Sequence, residues 1–126
     1  MKFKSLKEFR IWQLARQFAE AVSELQKRPA FRRDEKLSGQ LGASSMSIMS
    51  NSAEGFGQDT DRAFARYLAI ARGSNNEAIS QLAVALARGH ITEVEFAKLE
   101  EMSDEMGKGM TSLMAHLHRE DRKYRG

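Results

Sequence analysis

The 126 residues suit one domain, and a chain of this length can bury about two-thirds of the surface of its unfolded state without a disulfide or a metal. The sequence contains no cysteine, which excludes a disulfide scaffold, a thiolate metal site and a cysteine nucleophile. The net charge of +3 is small and concentrates in the first third of the chain, so charge alone identifies no partner.

The N-terminal region does not resemble a signal peptide. Glu8, Arg10 and Arg16 interrupt the stretch where a signal peptide carries its apolar segment. No window approaches the ~20 apolar residues that a membrane span requires. We therefore expect a cytoplasmic protein with no membrane partner.

The first predicted helix has an unusually wide apolar face. Its apolar residues recur at steps of three and four, and Ser5 with Glu8 has the form of a capping box at the start. Pro29 disfavours helical geometry in the residue before it and so predicts the end. The apolar face exceeds what one neighbouring helix would cover, which hints at contacts between subunits. The polar segment 29–36 follows, with Phe31 as its expected anchor.

The second predicted helix has few large residues on its apolar face, so a neighbouring helix can approach closely. It ends at residues 55–57, where the glycines are expected to adopt the left-handed cap conformation.

Thr60 is a good N-cap for a third helix, and Gly89 closes it. Thr92 and Glu95 form a second capping box and open the fourth helix. Together with the short connections, these patterns predict an all-α single domain over residues 1–126, folded as an antiparallel up-down-up-down four-helix bundle. The predicted helices cover residues 5–28, 37–55, 60–88 and 92–120, all approximate.

Two segments carry a family resemblance. Residues 48–57 read Ile-Met-Ser-Asn-Ser-Ala-Glu-Gly-Phe-Gly, and residues 67–77 read Tyr-Leu-Ala-Ile-Ala-Arg-Gly-Ser-Asn-Asn-Glu. With Ile-Trp-Gln-Leu-Ala near the start and Gly-His-Ile before the last helix, they resemble a bacterial family of four-helix bundles. That family includes proteins encoded in intervening sequences of large-subunit ribosomal RNA genes and the accessory variability determinants of diversity-generating retroelements.

The resemblance implies a non-enzymatic bundle that assembles as a ring, typically a homopentamer with a central channel. In the retroelement branch the ring binds nucleic acid and a reverse transcriptase. The family often carries arginines at the positions of Gly42 and Ala43 in this chain.

The polar and glycine residues inside the family motifs have two interpretations. They could form a buried polar site between the second and third helices. The favoured interpretation is a hydrogen-bond network that fixes helix register, with glycines that permit close packing or a cap. These motif residues are Asn51, Glu54, Gly55, Gly73, Ser74 and Glu77.

No catalytic, cofactor-binding or metal-binding residues are predicted. A ferritin-like di-metal bundle needs Glu-x-x-His on two helices, but the residues three before His90, His116 and His118 are Ala87, Leu113 and Ala115. An all-helical toxin-type ribonuclease would, by resemblance, show arginine four to six residues before a histidine, and no histidine here has one. No glycine-rich phosphate loop occurs either.

Two functions remain open. The first is a homo-oligomeric scaffold or adaptor, expected to be pentameric, whose partners are other copies of the chain and another macromolecule. The second is a ring that acts with a partner such as a reverse transcriptase and binds RNA or DNA through backbone phosphates, which makes the binding tolerant of sequence. The candidate phosphate contacts are Arg10, Arg16, Lys27, Arg28, Arg32, Arg33, Lys36, Arg62 and Arg66.

Overall fold

A computed structural model describes residues 5–125 of the chain. Within that range the protein is entirely helical. The elements are a 3₁₀ turn Leu6–Glu8 followed by helices α1 (Arg10–Gln26), α2 (Pro29–Arg33), α3 (Glu35–Phe56), α4 (Asp61–Ala87) and α5 (Glu93–Arg125).

The four long helices form a bundle, as the sequence predicts. Helix α3 packs against α1 and α4, and α5 packs against α4 and α1, so consecutive long helices are antiparallel neighbours. The pairs α1–α4 and α3–α5 lie on the two diagonals of the bundle. The core between the helices is apolar, and its fully buried side chains include Phe18, Leu41, Ile48, Leu68, Leu82, Met106, Met110 and Leu117.

Helix α1 begins at Arg10 and not at Ser5. The Ser5 side chain makes no cap hydrogen bond, and Phe9 has extended backbone dihedral angles of −75° and 108°. This geometry directs the Phe9 ring into the core, where it stacks on Phe56 at 5.5 Å and meets Phe64 edge-on at 5.7 Å. The burial of this large aromatic ring stabilises the fold more than four further α-helical residues, 6–9, would.

Caps set the limits of α4 and α5 at three of the predicted positions. The Thr60 side chain accepts a hydrogen bond from the Ala63 amide at 3.1 Å. Thr92 and Glu95 make both bonds of a capping box, at 2.9 and 3.1 Å. Gly89 has φ of +77°, the left-handed conformation that glycine adopts without steric cost.

The predicted left-handed cap after α3 is wrong. Gly57 follows α3 with φ of −82°, and its amide bonds back to the Ala53 carbonyl at 3.1 Å, so the chain leaves the helix without a left-handed residue. Gly55 lies inside the helix.

The segment 29–36 contains the short helix α2, which begins at Pro29. Proline in this first position costs the helix no hydrogen bond, because the first backbone N–H of a helix has no acceptor within the helix. Phe31 anchors the segment and is fully buried. No helix in the described range is both long and apolar enough to cross a membrane.

Candidate functional site

A polar seam joins α3 to α4 through two of the motif residues. The hydroxyl groups of Ser47 and Ser74 lie 2.7 Å apart. Asn51 donates from Nδ2 to the Ser47 hydroxyl at 3.0 Å and to the Ser47 carbonyl at 2.9 Å. Asn51 and Ser74 therefore meet through Ser47, which the sequence reading missed although it lies one helical turn before Asn51.

A second polar pair, also missed from sequence, joins α4 to α5. Asn75 donates to the Ser103 carbonyl at 2.9 Å, and the Ser103 hydroxyl donates to Asn75 Oδ1 at 2.8 Å. Both side chains are buried. Such a paired contact in an apolar seam fixes the register of two helices, because sliding would leave buried polar groups without partners.

The remaining motif residues separate into packed and exposed positions. A Cβ atom on Gly55 would lie 2.9 Å from Phe64 Cδ1 and 3.1 Å from Tyr67 Cβ, so glycine here permits α3 and α4 to touch. A Cβ on Gly73 would meet nothing within 4 Å in the described part of the chain. Glu54 and Glu77 are exposed on the outer surface.

The outer surface of α3 carries no charge over most of its length. From Leu37 to Ala53 no residue of α3 is charged, although 29% of the whole chain is. Exposed Met46 and Ile70 retain 62% and 48% of their accessible surface. We call the outer surface of α3 and α4 the α3–α4 face and define it by its exposed uncharged residues, Gly39, Ala43, Met46, Ser50, Ile70, Gly73, Ser80 and Val84. The exposed charged residues of α4 are Arg62, Arg66 and Glu77.

Two glycines on the α3–α4 face lie in helix interiors without a structural reason inside the chain. A Cβ on Gly39, like one on Gly73, would contact nothing within 4 Å among residues 5–125. Interior glycine costs a helix up to about 1 kcal/mol relative to alanine. The glycines of α5 differ, because a Cβ on Gly109 would touch Ile11 Cγ1 at 3.4 Å and one on Gly107 would touch Asn75 Nδ2 at 3.5 Å.

The structure divides the candidate phosphate contacts between two ends of the bundle. Arg62 and Arg66 lie in the first two turns of α4, whereas residues 27–36 lie at the opposite end, about 35 Å away along that helix. Four of these cations form ion pairs: Arg10 with Glu105 at 3.2 Å, Arg16 with Glu20 at a long 3.9 Å, Lys27 with Glu24 at 2.8 Å, and Arg28 with Glu95. Within residues 5–125 no ion pair involves Arg32, Arg33, Lys36, Arg62 or Arg66.

A charged cluster ties the α2 corner to the loop between α4 and α5. His90 Nε2 lies 2.8 Å from Asp34 Oδ2, and Arg88 donates to the same carboxylate at 2.9 and 3.2 Å. The His90 ring stacks on Phe31 at 5.1 Å, nearly parallel. His90, weighed above as a metal or catalytic residue, thus bonds a carboxylate within the fold.

The second half of this cluster is an ion pair between Arg28, the residue before α2, and Glu95 of α5. Arg28 bonds both carboxylate oxygens of Glu95 and also donates to the His90 carbonyl at 3.2 Å. The Arg28 hydrogen bond, aided by the Thr92 amide, lowers the pKa of Glu95 to about 2, and the same bond raises the pKa of Arg28. Hydrogen bonds from His90 and then Arg88 lower the pKa of Asp34.

The lowered pKa values of Glu95 and Asp34 predict that the fold loses stability in acid. A carboxyl whose folded pKa lies below its unfolded value stabilises the fold above that unfolded value, and the contribution disappears as pH falls through the folded pKa. For Glu95 this window runs from about 4.5 down to about 2. Because both partners are partly exposed, we expect about 1 kcal/mol to be lost.

The variant Glu95→Gln measures that contribution, since glutamine retains the capping geometry. Urea unfolding at pH 6 and pH 3 should show an acid-induced loss about 1 kcal/mol smaller in Glu95→Gln than in the unsubstituted chain. Exposed Glu101 supplies the control Glu101→Gln, which should leave the loss unchanged. An identical loss in all three proteins would contradict the assignment.

The described part of the chain shows grooves but no metal cluster. No three His, Asp or Glu side chains converge there in an arrangement that could hold a metal ion. Open grooves run along the surface between neighbouring helices, and one of about 550 Å³ lies between α3 and α4 beside Lys36, Gln81 and Val84.

Antiparallel long helices, polar pairs between them and a charge-free stretch of α3 define a helical-bundle protein. This chain belongs to the 23S rRNA-intervening sequence protein family, whose sequence model matches residues 7–112. The resemblance stated from the two motifs is therefore confirmed.

A solved structure supports the fold. It is that of a protein of unknown function from the S23 ribosomal protein family of Bacteroides thetaiotaomicron VPI-5482, 24% identical, with a TM-score of 0.76. The alignment covers 82% of this chain and 97% of the other. No curated protein matches the chain significantly.

Proposed function

We propose that this protein is a non-enzymatic, homo-oligomeric scaffold or adaptor of the cytoplasm, assembled as a pentamer, that presents its outer helices to a macromolecular partner. The observation that carries the proposal is the α3–α4 face. A solvated helix normally carries charge on its outer side, and α3 carries none over seventeen residues, 37–53.

The exposed side chains and glycines on this face support assembly. Met46 and Ile70 are large apolar groups left in water, and a second copy would remove them from it. Gly39 and Gly73 reduce helix stability in the free chain, whereas in an assembly they allow a neighbouring backbone to approach. One explanation, burial between subunits, accounts for both features.

The test places a charge on the face. Ala43→Glu should convert the assembly to monomers in multi-angle light scattering at micromolar concentration, because the carboxylate would lose its hydration in the contact. The control Ala97→Glu makes the same change at an exposed position of α5 and should leave the mass unchanged. Circular dichroism would verify that both variants stay helical. Equal masses for Ala43→Glu and the unsubstituted assembly would refute the proposal.

A second candidate function, a sequence-tolerant nucleic-acid-binding ring that acts with a partner such as a reverse transcriptase, draws support from one observation. Arg32, Arg33 and Lys36 stand within five residues at one end of the bundle, and no ion pair in the described range neutralises them. A ring would repeat this cationic group once per subunit, which multiplies its field.

Salt dependence separates this candidate from the first. If three phosphates are neutralised per subunit, affinity for single-stranded RNA should fall about tenfold or more between 50 and 200 mM salt. Fluorescence anisotropy should show that fall, and Arg32→Glu with Arg33→Glu should abolish binding, while Arg62→Glu at the far end should change it little. Absence of binding at low salt would eliminate the candidate.

A further inference from the structure

Two adjacent sides of the bundle share α3, the helix that carries no charge from Leu37 to Ala53. One is the α3–α4 face. The other lies between α1 and α3, where the apolar side chains of Trp12, Ala19, Met49 and Ala53 are only partly buried. Helix α3 is therefore uncharged on both of its outer flanks, which is the pattern of a helix covered from two directions.

We infer that one copy places its α3–α4 face on the α1–α3 side of the next copy, so that α3 lies nearest the axis of the ring. This inference rests on the proposed assembly and identifies the surfaces that form it. The contact is head-to-tail, and adjacent sides of a four-helix bundle stand at roughly a right angle, so the assembly closes after about four or five copies.

Charge complementarity supports this pairing of surfaces. In such a ring α4 of one copy runs beside α1 of the next, in the same direction. Glu77 lies ten residues before the end of α4, and Arg16 lies ten residues before the end of α1. Both helices end at one level of the bundle, where Arg28 reaches the His90 carbonyl. Glu77 and Arg16 thus stand at the same height, about 15 Å below that level.

Both charged groups are available for such a pair. Glu77 is exposed and has no ion pair among residues 5–125. Arg16 retains 59% of its side-chain exposure, lies 5.9 Å from the Trp12 ring centroid and has only a long contact of 3.9 Å with Glu20. In the inferred contact Arg16 bonds Glu77 of the neighbouring copy across the rim of the apolar surface.

The absence of native cysteine makes crosslinking a direct test. The double variant Arg16→Cys with Glu77→Cys places one thiol on each of the two inferred surfaces. Helices α1 and α4 are diagonal in the bundle, so a short bis-maleimide joins these thiols between copies and not within one. The double variant should give a ladder of covalent species that stops at four or five copies.

Each single-cysteine variant serves as a control and should give no crosslinked species, because a head-to-tail contact brings no thiol opposite another. Crosslinked dimers from a single variant would indicate a symmetric contact and overturn the inference. A ladder of crosslinked species without an upper limit would also overturn the inference. The same holds if the double variant gives no ladder although light scattering shows that it is oligomeric. A monomeric unsubstituted chain would instead refute the proposed assembly itself.

Discussion

Replacing Phe31 by alanine is expected to lower the free energy of unfolding by about 3–5 kcal/mol, the usual cost of removing a fully buried phenylalanine side chain. The ring fills the space under α2 and stacks on His90, which Asp34 holds in place. Its loss leaves a cavity at the corner and removes one side of the histidine's packing. Urea unfolding at a fixed protein concentration measures the effect, since assembly would make stability depend on concentration.

An exposed aromatic residue provides the comparison. Tyr124 retains 93% of its accessible surface, so Tyr124→Ala should change the free energy of unfolding by less than about 0.5 kcal/mol. A loss in Phe31→Ala no larger than that in Tyr124→Ala would show that the corner is not packed as described. The same corner carries Arg32 and Arg33, so its packing also determines where these cations stand.

Replacing Gly55 by alanine is expected to destabilise the protein by a net of about 1–2 kcal/mol. The added Cβ would lie 2.9 Å from the Phe64 ring and 3.2 Å from the Phe64 carbonyl oxygen, and a backbone atom cannot move aside cheaply. Overpacking of this kind costs about 1–3 kcal/mol. Helix propensity favours alanine by up to about 1 kcal/mol and reduces the net loss.

The matched variant is Gly57→Ala, two residues along the chain. Its new Cβ would lie 3.7 Å from the nearest atoms, an ordinary contact, and φ of −82° suits alanine. Thermal unfolding should give a clearly lower midpoint for Gly55→Ala than for Gly57→Ala. If both variants unfold at the temperature of the unsubstituted protein, this result would contradict the close contact between α3 and α4 at Gly55.

The sequence predicted those parts of the fold that local chemistry determines. Caps at Thr60 and Thr92 and the glycine after α4 act within one helical turn, so residue identity alone indicates them. The start of α1 depends instead on Phe9 meeting Phe56 and Phe64, which are distant along the chain. A capping-box pattern at Ser5 could not reveal that the aromatic contact would prevail.

The candidate site was predictable only in part for the same reason. Asn51 and Ser74 could be selected from the family motifs, but their link runs through Ser47, and Asn75 pairs with Ser103 on another helix. The sequence does not indicate whether a serine inside a helix faces water or a side chain of a neighbouring helix. The exposure of the acidic motif residues Glu54 and Glu77 likewise follows from the packing of α3 against α4, which the sequence does not show.

The uncharged length of α3 is visible in the sequence, yet its meaning needs the structure. An uncharged helix could be the central, buried member of a domain, and only the packing of the other helices shows that part of the α3 surface faces outward. The exposed apolar and small residues on that surface are the observation on which the proposed assembly rests.

Sedimentation velocity of the unsubstituted protein from low to high micromolar concentration tests the central claim most directly. We predict a dominant species of about five times the 14.2 kDa chain mass, consistent with a closed ring and stable on moderate dilution. A single species of 14.2 kDa at every concentration would contradict it.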